Sequence, residues 1–208
     1  MFDADVLRLV AITDSLRDGI DGLAARAAAA VRGGATMLQL RLQDESARTL
    51  AEVARALRRA APGVPLVVNE RADVALAADA DGVHVGSTGL SPAALRRIVP
   101  ARFIIGFSIG SDDEVARAAD ADYVGIGPVF AAVGATGADV AIGIARFRAL
   151  AERCGVPAVA IGGITPANAE SVVAAGASGV AVISALFGAR DPMLAARALR
   201  SAQGASGR

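Results

Sequence analysis

The stretch PAVAIGGITPANAESVVAAGASGVAVIS at 157–184 decides how this chain is read. Two five-residue apolar runs, PAVAI at 157–161 and GVAVI at 179–183, flank an alanine-rich segment at 166–175 with helical character. Short runs of this kind separated by a helix imply parallel strands joined by a crossover. Gly162-Gly163 turns the chain out of the first strand. Thr165-Pro166 then sets a capping hydroxyl before a proline suited to the first helical turn. The pair GA at 176–177 ends the helix ahead of the second strand.

Outward from this unit the same pattern repeats along the whole chain. Candidate strands lie at 8–12, 36–40, 65–68, 82–85, 103–106, 122–126, 157–161 and 179–183. Candidate helices lie at 20–33, 46–60, 72–78, 91–99, 111–119, 143–153, 166–175 and 191–202. The turn pairs GG at 33–34, AD at 80–81 and AD at 121–122 also sit just before strands, and Ser91-Pro92 repeats the cap-and-proline signal. Eight such units in about 200 residues fit a small (β/α)8 barrel of the phosphate-binding type, a single domain over 1–208. A doubly wound open sheet is the competing arrangement, and the repeat count of eight favours the barrel. The tail at 201–208, SAQGASGR, has no periodicity and is expected to fray.

Composition narrows the chemistry. The 208 residues are 54% hydrophobic and include 50 alanines, one histidine, one cysteine and no tryptophan. All 21 basic residues are arginine, so lysine-dependent Schiff-base, pyridoxal phosphate and P-loop chemistry is excluded. The 21 acidic residues balance them, which leaves no basic field to attract nucleic acid or an anionic membrane. One cysteine, Cys154, cannot form an intramolecular disulfide, and one histidine, His84, cannot build a multi-histidine zinc site. No secretory signal pattern or membrane-length apolar run is visible, so a cytoplasmic location is expected. The sequence leaves a homo-oligomer open.

A barrel builds its site at the carboxyl ends of its strands. The polar residues there are Thr13 and Asp14, Gln39 and Arg41, Asn69-Glu70-Arg71, His84, Ser108, the turn Gly162-Gly163, and Ser184. Arginines and small polar groups beside glycine-rich turns suit a phosphate ester. Gly162 and Gly163 let backbone N–H groups approach an anion, and a short helix starting near Ser184 aims its N-terminus at the same place. Each residue also has a plainer reading. Arg41 could serve a structural ion pair, Asn69 a turn, and Ser108 the cap of the next helix. Glu70 could bridge to Arg71 or a nearby helix. The His84 ring points either into the barrel mouth, as a general acid or base, or into the packed interior. Cys154 reads as an inert residue at a helix end.

Eight motifs in order resemble one family. They are VAITD at 10–14, GATMLQLR at 34–41, VVNERADVALA at 67–77, ADGVHVG at 80–86, IIGFS at 104–108, ADYVGIGPVF at 121–130, VAIGGIT at 159–165 and GASGVAVISAL at 176–186. Together they resemble the thiamine phosphate synthases and their relatives, the TenI thiazole tautomerases. The resemblance implies a transferase of thiamine biosynthesis that joins a pyrimidine methyl diphosphate to a thiazole phosphate and releases pyrophosphate. It implies diphosphate and pyrimidine contacts from Gln39, Arg41, Asn69 and Ser108, and thiazole-phosphate contacts from Gly163, Ile183 and Ser184. It also implies Mg2+ held by two aspartates, whose positions here are Glu70 and Gly89. The family's lysine after the second strand is Gln43, and its Thr-x-Thr-Lys loop reads Ala132-Val133-Gly134-Ala135. The stretch Ser87-Thr88-Gly89-Leu90-Ser91-Pro92 resembles the tautomerase branch instead, yet the histidine that branch can carry after strand six is Pro128. A synthase-like protein with a depleted diphosphate site is therefore expected, the alternatives being a tautomerase and a non-catalytic phosphate-ligand binder.

Overall fold

A computed structural model describes residues 2–131 and 140–204. Its eight strands are β1 (Leu9–Ile12), β2 (Met37–Leu40), β3 (Leu66–Asn69), β4 (Gly82–Val85), β5 (Ile104–Ile109), β6 (Tyr123–Ile126), β7 (Ala158–Ile161) and β8 (Gly179–Val182). They pair in chain order, all parallel, and β8 returns to β1, closing the barrel. The helices outside it are α1 (Gly19–Arg32), α2 (Ala47–Ala60), α3 (Ala72–Ala77), α4 (Pro92–Arg96), α5 (Asp112–Val115), α6 (Gly143–Cys154), α7 (Ala169–Ala174), α8 (Ser184–Phe187) and α9 (Pro192–Ala202). The fold is the expected (β/α)8 barrel.

Strand alternation divides the core in two. Outward residues such as Leu38, Val68, Val83 and Phe107 pack under the helices with Leu23, Leu57 and Leu95. Inward residues Val10, Ile12, Met37, Val67, Tyr123, Val159 and Ala181 fill the barrel. Leu7, at the end of a 3-10 turn over Ala4–Leu7, joins this inner cluster, and Phe2 stacks on Tyr123 with ring centroids 6.0 Å apart. The lower part of the barrel is thereby closed by apolar packing, and the polar inward residues lie toward the carboxyl ends of the strands.

The aspartates of the two AD pairs do more than mark turns. Asp81 accepts the Leu66 N–H at 2.8 Å and pairs with Arg58 at 2.7 Å. Asp122 accepts the Ile105 N–H at 2.8 Å and pairs with Arg96 at 2.9 Å. Each carboxylate thus ties a strand start to an outer helix.

Four local expectations are corrected. Thr165 does not cap α7: that helix begins later, at Ala169, and Asn168 accepts the Thr165 N–H at 2.8 Å while donating to the Gly163 carbonyl at 2.9 Å. Strand β5 runs to Ile109, past the expected end at 106, so Ser108 lies within a strand. Ser111, not Ser108, caps the helix that follows. Helix α9 continues through Ala202 and Gln203 is buried, so the ordered chain extends into the segment expected to fray; 205–208 lie outside the described residues.

Candidate active site

Arg41 follows β2 and is held by its backbone. The buried Thr13 hydroxyl accepts the Arg41 N–H at 2.8 Å and donates to the Arg41 carbonyl at 3.0 Å. Its guanidinium makes no ion pair among the described residues, so the structural-bridge reading fails and the charge is available at the mouth. Asp14, by contrast, is spent on Arg17 and Arg26. Gln39 is buried on β2 and donates to Asn69 Oδ1 at 2.9 Å, which leaves the Asn69 amide NH2 for a ligand. Arg41, Gln43, Asp44, Glu45, Asn69, Glu70, Arg71 and Ser108 line one cleft of about 700 Å3, so its two guanidinium groups share the opening with carboxylates.

Glu70 does not pair with Arg71. It stands in the left-handed region with φ of 61°, and its Oε1 accepts the Gly86 N–H at 2.7 Å. Arg71 pairs instead with Asp73 through contacts of 2.8 and 2.6 Å, and that hydrogen bond holds the Asp73 carboxyl down to about 2. A Cβ at Gly89 would lie 2.5 Å from Glu70 Oε2. The longer carboxylate therefore occupies space beside position 89 that a side chain there would need. One carboxylate already bonded to an N–H, opposite a residue with no side-chain oxygen, does not fit a protein-held Mg2+, which takes near-octahedral oxygen ligation. Among the described residues no group of three or more His, Cys, Asp or Glu could hold a metal ion.

His84 points into the barrel. Its Nδ1 lies 3.0 Å from the Tyr123 hydroxyl and its Nε2 lies 2.8 Å from Ser108 Oγ. Burial pushes the imidazole down to about 4, and burial with the Asp122 charge pushes the Tyr123 phenol up. The ring is neutral at physiological pH and satisfied on both nitrogens. The interior reading is thus the observed one, with one edge of the ring reaching a mouth residue. A cavity of about 20 Å3 beside the ring has room for about one water.

Across the mouth, Gly162 and Gly163 adopt φ of 92° and 63°. Both must be glycine for packing: a Cβ would lie 2.5 Å from Pro128 Cα at position 162, and 2.8 Å from the Ala131 carbonyl at position 163. The expected short helix is α8, which starts at Ser184. Gly163, Thr165, Ile183, Ser184 and Ala185 line a pocket of about 290 Å3. The N–H groups of Gly163, Ser184 and Ala185 have no backbone or side-chain acceptor among the described residues. Ala132-Val133-Gly134-Ala135 lies outside the described residues. Cys154 is buried at the end of α6, donates to the Leu150 carbonyl at 3.1 Å, and has a thiol pushed up by burial.

Sequence reasoning missed Tyr123. It stood in an apolar run and read as core, although it shares strand phase with Gly125 and the chain has only one tyrosine and one histidine to pair. It also missed Gly106, where a Cβ would sit 2.4 Å from both His84 Nδ1 and Tyr123 Cζ.

The comparisons agree with this geometry. The family model described as "Thiamine monophosphate synthase" matches residues 9–186. A thiamine-phosphate synthase of Xanthobacter autotrophicus is 44% identical over 200 residues, covering 94% of this chain and 95% of that protein. One from Methanoculleus marisnigri is 47% identical over 180 residues, covering 85% and 84%. The solved thiamine phosphate pyrophosphorylase of Pyrococcus furiosus superposes with a TM-score of 0.85 at 37% identity, covering 96% of each chain. With the closed eight-strand barrel and a match running over residues 9–186, this chain belongs to the thiamine monophosphate synthase family.

Proposed function

We propose that this protein catalyses the condensation of a pyrimidine methyl diphosphate with a thiazole phosphate, releasing pyrophosphate. The observation that carries the reading is the pairing of two anion-suited regions across one barrel mouth. On one side main-chain donors at Gly163, Ser184 and Ala185 line a pocket. On the other, Arg41, Asn69 and Ser108 line a wider cleft. The first suits the thiazole phosphate, with Ile183 and Ser184 at its edge. The second suits the pyrimidine and its diphosphate.

In the reaction the bond between the pyrimidine methylene and the diphosphate oxygen breaks, and the thiazole nitrogen supplies the electron pair for the new C–N bond. Charge accumulates on the departing diphosphate, so catalysis depends on fixed positive charge and hydrogen-bond donors around it. Arg41 supplies the charge here. Asn69 and Ser108 supply donors. Gln43, Gly89 and Ala135 supply none of the cations or carboxylates expected at those positions from the resemblance. Turnover is therefore slow beside that of a chain with the full set, and it does not require a metal held by the free protein.

The chain acts as a soluble catalyst on small molecules in this reading, and among the described residues no helix is long and apolar enough to cross a membrane. The tautomerase and binder alternatives lose ground because the similar proteins reported above carry the synthase name. The test is thiamine phosphate formation by the purified protein given thiazole phosphate, with and without the pyrimidine diphosphate and Mg2+. Product that requires both substrates supports the reading. Binding of thiazole phosphate without product at any enzyme concentration overturns it.

A further inference from the structure

The chain of hydrogen bonds from Tyr123 through His84 to Ser108 crosses from the apolar interior to the cleft, and its direction can be deduced. Ser108 lines both the small internal cavity and the large cleft, whereas Tyr123 and His84 line only the internal one. The hydrogen-bonded route from the buried pair to the cleft runs through the Ser108 hydroxyl.

Two proton arrangements fit the distances. In one, the Tyr123 phenol donates to Nδ1, and Nε2–H donates to Ser108 Oγ. In the other, Ser108 donates to Nε2, and Nδ1–H donates to the phenolic oxygen. The second strands the phenol proton. Tyr123 is buried among Leu7, Val10, Met37, Val67 and Val159, and its hydroxyl has no partner other than His84 Nδ1 among the described residues. A buried donor left without an acceptor is costly. The acid strengths point the same way. A phenol is a stronger donor and a weaker acceptor than an aliphatic hydroxyl, so the first arrangement matches the better donor with the imidazole lone pair. His84 is neutral and carries one ring proton, so one choice excludes the other.

We propose that Tyr123 is a positioning residue: it donates to His84 Nδ1, holds the imidazole in the Nε2–H tautomer, and thereby fixes Ser108 as a hydrogen-bond donor into the cleft. With Nε2–H pointing at its oxygen, Ser108 keeps its own proton for the ligand. It is not an activated nucleophile, because the imidazole offers it no lone pair, and the group that takes its proton must offer a lone pair, such as a ring nitrogen or a phosphate oxygen. Gly106 is the opening that lets the two rings meet, since any side chain there would enter the His84–Tyr123 contact. The tautomer stands on the hydrogen-bond distances and the burial of both rings, with the acid strengths in support; its part in turnover rests on the condensation proposed above.

Because the chain has one histidine, nitrogen-15 NMR of the uniformly labelled protein reports this ring without assignment ambiguity. The wild-type ring should show a pyrrole-like Nε2 and a pyridine-like Nδ1. A protonated Nδ1 overturns the proposal, and this measurement needs no variant to fold. In Tyr123→Phe the ring should move to a mixture of tautomers; an unchanged spectrum in the folded variant also overturns it. In turnover, Tyr123→Phe should raise KM for the pyrimidine diphosphate about tenfold, the loss of one ordinary hydrogen bond, with KM for thiazole phosphate unchanged. Equal rises for both substrates would show a general structural defect and overturn the positioning role. If the protein makes no product, the spectra still decide the tautomer.

Discussion

On the β7–β8 side of the mouth the groups offered to a ligand are main-chain N–H groups, at Gly163, Ser184 and Ala185. On the β2–β4 side they are side chains: Arg41, Asn69 and Glu70. The contrast explains why the resemblance holds on one side and thins on the other. A site made of backbone persists as long as the turn persists, and this turn is enforced by packing of Gly162 and Gly163 against Pro128, Phe130 and Ala131. A site made of side chains can lose a charge at Gln43 or a carboxylate at Gly89 while β2 and β4 stay in the closed barrel. On the proposed function, binding on the first side and rate on the second are separable properties of one barrel.

The strongest attempt to erase the contrast is to rebuild the side-chain half. Gln43→Lys, Glu70→Asp, Gly89→Asp, Ala132→Thr, Gly134→Thr and Ala135→Lys together should raise kcat about a thousandfold or more, since one preorganised electrostatic contact is worth about 3 kcal/mol. Gln43→Lys alone should change the rate by less than about twofold, because such groups act as a unit. A wild-type rate equal to that of the rebuilt protein would show that arginines already fill the role.

Acid should separate the halves next. His84 has a folded value depressed from the ordinary 6.5 to about 4, so its full contribution to stability is present above 6.5. As pH falls toward 4 the unfolded chain binds a proton that the folded one refuses, and up to about 3 kcal/mol is lost. Denaturant titrations between pH 7 and 5, a window above most carboxylates, should show this slope, and His84→Gln should lack it. A slope that survives in the variant would place the titrating group elsewhere.

Single truncations then compare the sides directly. Arg41→Ala should weaken the pyrimidine diphosphate about fiftyfold and leave thiazole phosphate unaffected, because it removes a charge-assisted contact. Ser184→Ala should weaken thiazole phosphate only about fivefold, because the N–H donors remain. Calorimetry with each ligand reads both, and a larger loss at Ser184 than at Arg41 would reverse the assignment of backbone and side-chain recognition. Gly163 is a poor probe, since any Cβ there meets the Ala131 carbonyl before it meets a ligand. The smallest effect is expected from metal removal. EDTA should alter the wild-type rate by less than about twofold, and abolition of activity would return Glu70 to the metal.

What could be read in advance follows from range. Strand alternation and helical spacing are local, so the eight strands of 157–184 and its repeats were visible from sequence alone. Gly106 and Ser108 interrupt the apolar run of β5 and shorten the expected strand, although Phe107 and Ile109 keep the outward phase. Thr165-Pro166 resembles a cap and places the expected start of α7 too early, while Asn168 holds the loop through two bonds that no pattern announces. In the site, Arg41, Asn69, Ser108 and Ser184 were legible as polar residues at strand ends. Tyr123 was not, because its partner His84 lies 39 positions away and the bond exists only once the barrel closes.

The fit between Glu70 and Gly89 makes the route between two versions of this site depend on order. Adding a side chain at 89 first forces the Glu70 carboxylate, whose other oxygen holds the Gly86 N–H, to shift. Shortening Glu70 first vacates the space and then admits the newcomer. A mutational survey that changes one position at a time would read aspartate at 89 only beside a displaced Glu70 carboxylate. The two residues behave as one two-letter character, and variants of this protein are best designed by replacing both letters together.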